Sequence, residues 1–124
     1  MSARRVNGED FGSLIKQGIV FVDWGAASCG PCRMFAPIFD KVADLNPDLV
    51  FAKVDADADA DLAVSFGIRA IPTLMIFRDG FLVFRQAGAM TEETLQNLAN
   101  RVQDLDMDEV RIKLKAAMEA RTPN

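Results

Sequence analysis

A chain of 124 residues, half of them hydrophobic, is one domain's worth of protein, long enough to bury a core and too short for a second independent one. Its formal charge of −4, from 14 basic and 18 acidic side chains, argues against a grip on nucleic-acid phosphates. No apolar run approaches the roughly 18 residues of a membrane-spanning helix, and Met1 to Asp10 carries two arginines with no apolar stretch behind them, so neither membrane nor export is expected and the chain reads as cytoplasmic.

Glu9 to Gln17 carries Phe11, Leu14 and Ile15 at helical spacing and stops at Gly18, a residue suited to a helix C-terminus. Ile19 to Val22 is a short β-branched run that suits a strand buried on both faces. From Pro31 to about Leu45, Met34, Phe35, Ile38, Phe39, Val42 and Leu45 repeat at helical spacing around Pro37, which is expected to kink the helix. Leu49 to Val54 predicts a second buried strand, Asp61 to Phe66 a short helix ending at Gly67, and Thr73 to Phe77 a third strand. Asp79-Gly80 then predicts a hairpin into Phe81 to Arg85, because both turn residues must tolerate positive φ. Thr91 starts a helix whose apolar face is Leu95, Leu98 and Val102. This alternation is that of an α/β sandwich with a central mixed sheet flanked by helices.

The stretch from 105 to 124 has a separate character. Asp106 is placed to cap a further helix, with Glu109 completing a capping box. Met107, Val110, Leu114, Ala117 and Met118 would line one side of it, with Arg111, Lys113, Lys115 and Arg121 toward its C-terminal part. Two readings stay open, a helix packed on its own domain or frayed at the end, and a surface for a partner or for weak self-association. The expected division is a domain over residues 1–104 and a C-terminal helical extension over residues 105–124.

Histidine is absent. That removes every Ser-His-Asp or Cys-His arrangement and every His-ligated zinc or haem. The two cysteines, Cys29 and Cys32, lie three positions apart between a buried strand and an apolar helix. Pro31 suits the first helical position, so Cys29 is the expected N-cap with Cys32 one turn along. That i, i+3 spacing brings the two Cα atoms to roughly 5–6 Å, within reach of a disulfide. The positive helix end favours a thiolate on Cys29, which makes it the expected nucleophile and Cys32 the resolving thiol. A structural zinc would need two more ligands from a second chain, and an inert pair does not suit a strand-to-helix turn. Asp23, six residues before Cys29, ends an otherwise apolar strand. Buried there, its pKa rises, and it is a candidate base for the Cys32 proton, with Lys53 at the matching end of the neighbouring strand as a candidate partner. The plainer alternative is an aspartate facing water at a strand exit and an ordinary surface lysine.

At this point the chain resembles the thioredoxin family from about Phe11 to Val102. The resemblance rests on Val22-Asp23, Cys29-Gly30-Pro31-Cys32-Arg33, Ala36-Pro37, Lys53-Val54-Asp55, Gly67-Ile68-Arg69, Ile71-Pro72-Thr73-Leu74, Phe77-Arg78-Asp79-Gly80 and Gly88, all in one order. It implies a thioredoxin fold with an extra C-terminal helix, and thiol–disulfide exchange on protein disulfide substrates with electrons from a thioredoxin reductase. It implies further that Asp23 and Lys53 are the family's buried carboxylate and lysine, and that Pro72 is cis and faces the cysteines. Gly30, Pro31, Ile71, Pro72 and Gly88 would then meet the substrate chain, with Ile71 pairing like an added strand. No bound cofactor and no metal are expected, since the cysteine pair itself carries two electrons.

The chain also departs from the family. Ser28 and Gly25 stand at the family's two tryptophan positions, and the one indole, Trp24, lies beside Asp23. Less flat apolar surface beside Cys29 predicts an altered substrate range or potential, and Ser28 is a candidate hydrogen-bond donor to the thiolate. Asp55, Asp57, Asp59 and Asp61 alternate with alanines, but Ala60 and Phe66 occupy the positions where a calcium loop needs Gly and Glu, so the run reads as a solvated loop capping a helix. The competing function is a docking or co-chaperone module that binds through the terminal helix or the Pro72 edge. An isomerase or oxidant is disfavoured by the absence of an export signal.

Overall fold

The computed structural model describes residues 3–121, with the Arg121 side chain outside that description. In chain order the elements are β1 (Ala3–Arg5), α1 (Gly8–Leu14), β2 (Ile19–Gly25), α2 (Gly30–Leu45), β3 (Val50–Asp55), α3 (Ala60–Ser65), β4 (Thr73–Arg78), β5 (Phe81–Ala87), α4 (Glu92–Gln103) and α5 (Met107–Arg121). The sheet order is β1-β3-β2-β4-β5. β3 runs parallel to both β1 and β2, while β4 is antiparallel to β2 and β5. The expected mixed sheet is present, with one strand more than the hydrophobic pattern predicted: β1 adds to the β3 edge through Arg4 and Arg5, two residues that carry no apolar signal.

Alternation along β2 decides which chemistry lies on which face. Val20, Val22 and Trp24 enter a cluster with Phe11 of α1 and Ala63 of α3, whereas Phe21 joins Phe35, Phe39 and Val42 of α2 and Leu95 of α4. By the same two-residue period Asp23 and Gly25 share the Phe21 face, beneath α2. Phe51 of β3 is in the α2 cluster, so Lys53 belongs to that face too. Trp24 is fully buried on the opposite face, where its ring packs 5.3 Å from Phe11 and 5.8 Å from Phe66.

Caps set the helix starts. Asn7, Thr91 and Asp106 side chains accept from the N–H groups of Asp10, Thr94 and Glu109. The reciprocal half of the expected Asp106–Glu109 box is not made, because the Glu109 carboxylate pairs with Lys113 at 2.8 Å. α1 ends three residues earlier than its periodicity suggested, with Ile15 as its cap. The hairpin turn has the expected geometry, φ being 53° at Asp79 and 88° at Gly80. The Asp55–Asp61 loop turns on Asp55, whose Oδ1 accepts from Asp57 and Ala58 N–H, while Asp59 reaches away from α3 to accept from Gly8 N–H. Among the described residues no group of acidic side chains is arranged to hold a metal ion.

α5 begins on the domain, holds the Arg111 guanidinium 5.7 Å over the Phe81 ring of β5, and is exposed over residues 111–120. Leu105 packs on the α2–α4 cluster and Met107 is buried, whereas Ile112 is 68% exposed. Arg78 of β4 anchors the junction, donating to the carbonyls of Val102 at 2.7 Å and Leu105 at 2.8 Å. Arg78→Met is expected to lower unfolding free energy by about 1–3 kcal/mol, since it strands carbonyls that a charged donor now satisfies. Urea unfolding followed by circular dichroism checks this. Among the described residues no helix is long and apolar enough to cross a membrane.

Candidate active site

β2 delivers the chain to the site and α2 begins it. Cys29 is the N-cap of α2, its backbone extended at φ −90° and ψ 117°, and Pro31 follows inside the first turn. The turn is tied by Cys29 N–H donating to Ala26 O at 3.2 Å and by the Arg33 guanidinium donating to Ala27 O at 3.0 Å. Cys29 and Cys32 form a disulfide across a Cα separation of 5.2 Å, as the i, i+3 spacing predicts. The Cys32 N–H donates to Cys29 Sγ at 3.2 Å. That N–H is among those a helix start leaves unpaired, so charge developing on the Cys29 sulfur meets a donor already aimed at it. Cys29 is half-buried, and Cys32 is only 6% exposed.

The loop before β4 closes the other side. The Ile71–Pro72 peptide is cis, and Ile71 O lies 3.7 Å from Cys29 Sγ. Gly88, at φ +98°, donates its N–H to Pro72 O at 2.7 Å, so β5 fixes the loop that faces the disulfide. Gly30, Pro31, Ile71, Pro72 and Gly88 thus lie on the elements around Cys29, with Pro31 and Gly88 exposed and Pro72 buried.

Asp23 lies behind Cys32. It is 6% exposed, and its Oδ1 has no hydrogen-bond partner. Burial raises its pKa from 3.8 to about 7; Lys53 pulls it down and Asp40 pushes it up. Lys53 stands opposite Asp23 in the β2–β3 register, but its ammonium ion-pairs with Asp40 of α2 at 2.5 Å. The expected Asp23–Lys53 pair is therefore corrected to a Lys53–Asp40 pair within electrostatic range of Asp23. Asp40 reads in the sequence as one more polar residue on a helix, and only the packing of α2 on β3 shows its role. Ser28 is exposed and makes no hydrogen bond to either sulfur among the described residues. Gly25 lies directly against the pair: a Cβ there would sit 3.4 Å from both Cβ and Sγ of Cys32 and 3.8 Å from Asp23 Oδ1.

Residues 2–101 match the thioredoxin family model. The chain belongs to the thioredoxin family. It is 51% identical over 92 residues to a putative thioredoxin 2 of Streptomyces coelicolor, an overlap of 74% of this chain and 69% of that protein. To a thioredoxin of Bacillus subtilis it is 31% identical over 102 residues, 82% of this chain and 98% of that one. Among solved structures, a mutant thioredoxin of Halobacterium salinarum superposes with a TM-score of 0.78 at 31% identity, covering 85% of this chain and 94% of that chain. This thioredoxin is a thiol–disulfide oxidoreductase, a protein-disulfide reductase whose working pair is Cys29–Cys32.

Proposed function

We propose that Cys29 opens a protein disulfide, that Cys32 then releases the reduced substrate, and that Asp23 takes the Cys32 proton. The Cys29 thiolate attacks one substrate sulfur, the substrate disulfide breaks, and a mixed disulfide forms as the other substrate sulfur leaves. Cys32, losing its proton to Asp23, attacks Cys29 Sγ, which expels the first substrate sulfur and leaves the Cys29–Cys32 disulfide. Two electrons pass to the substrate with no bound cofactor. The observation that supports this reading best is the Cys32 N–H aimed at Cys29 Sγ, with an unpartnered carboxyl on the Cys32 side.

Lys53 acts in this scheme through charge, holding the Asp23 pKa from climbing higher. Gly30, Pro31, Ile71, Pro72 and Gly88 form the substrate-facing surface, the Ile71 backbone adding the substrate chain as a strand. A thioredoxin reductase resupplies electrons, and the cytoplasm is the compartment whose reducing poise suits a dithiol carrier. The test is the potential of the Cys29–Cys32 couple against dithiothreitol buffers, with insulin reduction driven by NADPH and a thioredoxin reductase. A low potential with turnover is expected; a formed disulfide without turnover overturns the reading.

The domain over residues 1–104 carries this chemistry, and the extension carries at most docking. Ile112 exposed on α5 favours that second role. Deleting residues 111–124 removes the Arg111 contact with Phe81 but keeps Leu105 and Met107 in place, so insulin turnover is expected to stay within about twofold. A larger loss places α5 in the reaction itself.

A further inference from the structure

Asp40 has no task in the exchange just described. It lies two turns beyond Cys32 on α2, and Cys32, Ala36 and Asp40 follow one another at i, i+4 spacing on the face that the helix lays over the sheet. Its carboxylate stands 2.5 Å from the Lys53 ammonium, and both side chains are largely covered, at 23% and 27% exposure. Lys53 is also the residue opposite Asp23 in the β2–β3 register, yet Asp23 Oδ1 is left with no hydrogen-bond partner. One ammonium thus serves two carboxyls unequally. It touches Asp40 and acts on Asp23 only through charge.

The other charges around Asp23 come in both signs. Arg5 stands beside Lys53 in the β1–β3 register, and Arg33 of α2 donates to Ala27 O. Asp55 of β3 accepts from Asp57 and Ala58 N–H, and Asp59 accepts from Gly8 N–H. From β4 the facing residue is Leu74, which brings no charge. Among these groups Lys53 and Asp40 are the ones whose charges move the Asp23 pKa, Lys53 downward and Asp40 upward. An ammonium closed directly on a buried carboxylate would hold it ionised and make it a poor proton acceptor. Paired with Asp40, the same ammonium has much of its field cancelled before it reaches Asp23.

We propose that Asp40 is a positioning residue for the exchange: it withholds the Lys53 ammonium from Asp23, so that Asp23 remains a carboxyl able to accept the Cys32 proton. The proposal rests on Asp23 being the base, as set out above. In the release step the Cys32 proton passes to Asp23, the Cys32 sulfur bonds to Cys29 Sγ, and the substrate sulfur leaves with the electron pair of the mixed disulfide. Asp40 and Lys53 exchange no proton and touch no reacting atom. Their part is to keep the proton affinity of Asp23 close to the pH at which it works, where a general base has most effect.

The test follows the Asp23 carboxyl carbon by NMR across the titration range, in the oxidised full-length chain carrying 13C-labelled aspartate, with the signal assigned by its loss in Asp23→Asn. In Asp40→Asn the freed ammonium turns to Asp23, and the titration midpoint is expected to fall by roughly 1 pH unit or more. A midpoint that does not move overturns the proposal. In a Lys53→Met background the same substitution is expected to shift the midpoint far less. An equal shift in both backgrounds also overturns it, because Asp40 then acts by its own charge and withholds nothing. Should Asp40→Asn fold poorly, the unmutated chain still decides: scalar coupling from the Lys53 ammonium nitrogen to the Asp40 carboxyl carbon is expected, and coupling to Asp23 instead overturns the proposal. Release of reduced substrate from the mixed disulfide is expected to slow about threefold at high pH in Asp40→Asn, since a weaker base takes the proton. An Asp23 that does not titrate near 7 in the unmutated chain undoes the assignment of the base. One that does, yet ignores Asp40→Asn, refutes this inference alone.

Discussion

Asp23→Asn is expected to stabilise the oxidised protein at pH 8.5 by up to about 4 kcal/mol and to change it little at pH 4. The folded chain holds the Asp23 pKa near 7 against 3.8 for a free side chain, roughly three units at about 1.4 kcal/mol each. The raised value means that the folded state binds the proton more tightly. Below pH 4 both states are protonated and the carboxyl costs nothing extra. Between pH 4 and 7 the unfolded chain ionises first, so stability falls as pH rises, and above 7 the whole penalty is present. The amide, which never ionises, escapes it. Urea unfolding of both proteins across pH 4–9 measures the gap, and a gap that does not widen with pH would show that Asp23 does not titrate where its burial puts it. The same substitution removes the base, so release of reduced substrate is expected to slow by roughly 10² and to lose its rise with pH near 7.

The stability that Asp23 gives up and the proton it moves have one cause, its position in the sequence of β2. A strand buried on both faces offers its last side chains to the helix that follows, and here that helix starts at Cys29. This much was legible from residue order, because Pro31, the i, i+3 cysteines and the apolar run before Asp23 each have a local physical meaning. The parts that were not legible depend on partners distant in the chain. β1 is three residues with two arginines, and only the open edge of β3 makes it a strand. Asp40 takes the lysine expected for Asp23 because α2 lies across β3, a packing that no periodicity encodes. The aspartate run reads as a loop capping a helix, but Asp59, at the N-cap of α3, gives its side chain to Gly8 N–H, 51 residues away. Gly25 was legible only as a missing tryptophan. Its place against Cys32 and Asp23 depends on strand parity and on how α2 packs over the sheet. Ser28, the other departure, is exposed beside Cys29 and makes no hydrogen bond to either sulfur among the described residues.

Cys32→Ser is expected to separate the two halves of the exchange and to cut steady-state insulin reduction by more than ~10³. The hydrogen bond to Cys29 Sγ comes from the backbone N–H of residue 32, so a serine there keeps the donor and the helix start that favour the Cys29 thiolate. Attack on substrate therefore continues while release stops, since a hydroxyl near neutral pH cannot displace a disulfide sulfur. The protein should accumulate as a one-to-one mixed disulfide with its substrate, visible as an added mass that dithiothreitol removes. Cys29→Ser should give no such adduct with a folded protein substrate, because Cys32 lies beneath the surface that such a substrate can touch. A small thiol-reactive probe distinguishes that burial from inertness. Equal adduct yields from the two variants with a protein substrate would reverse the assigned order of the cysteines.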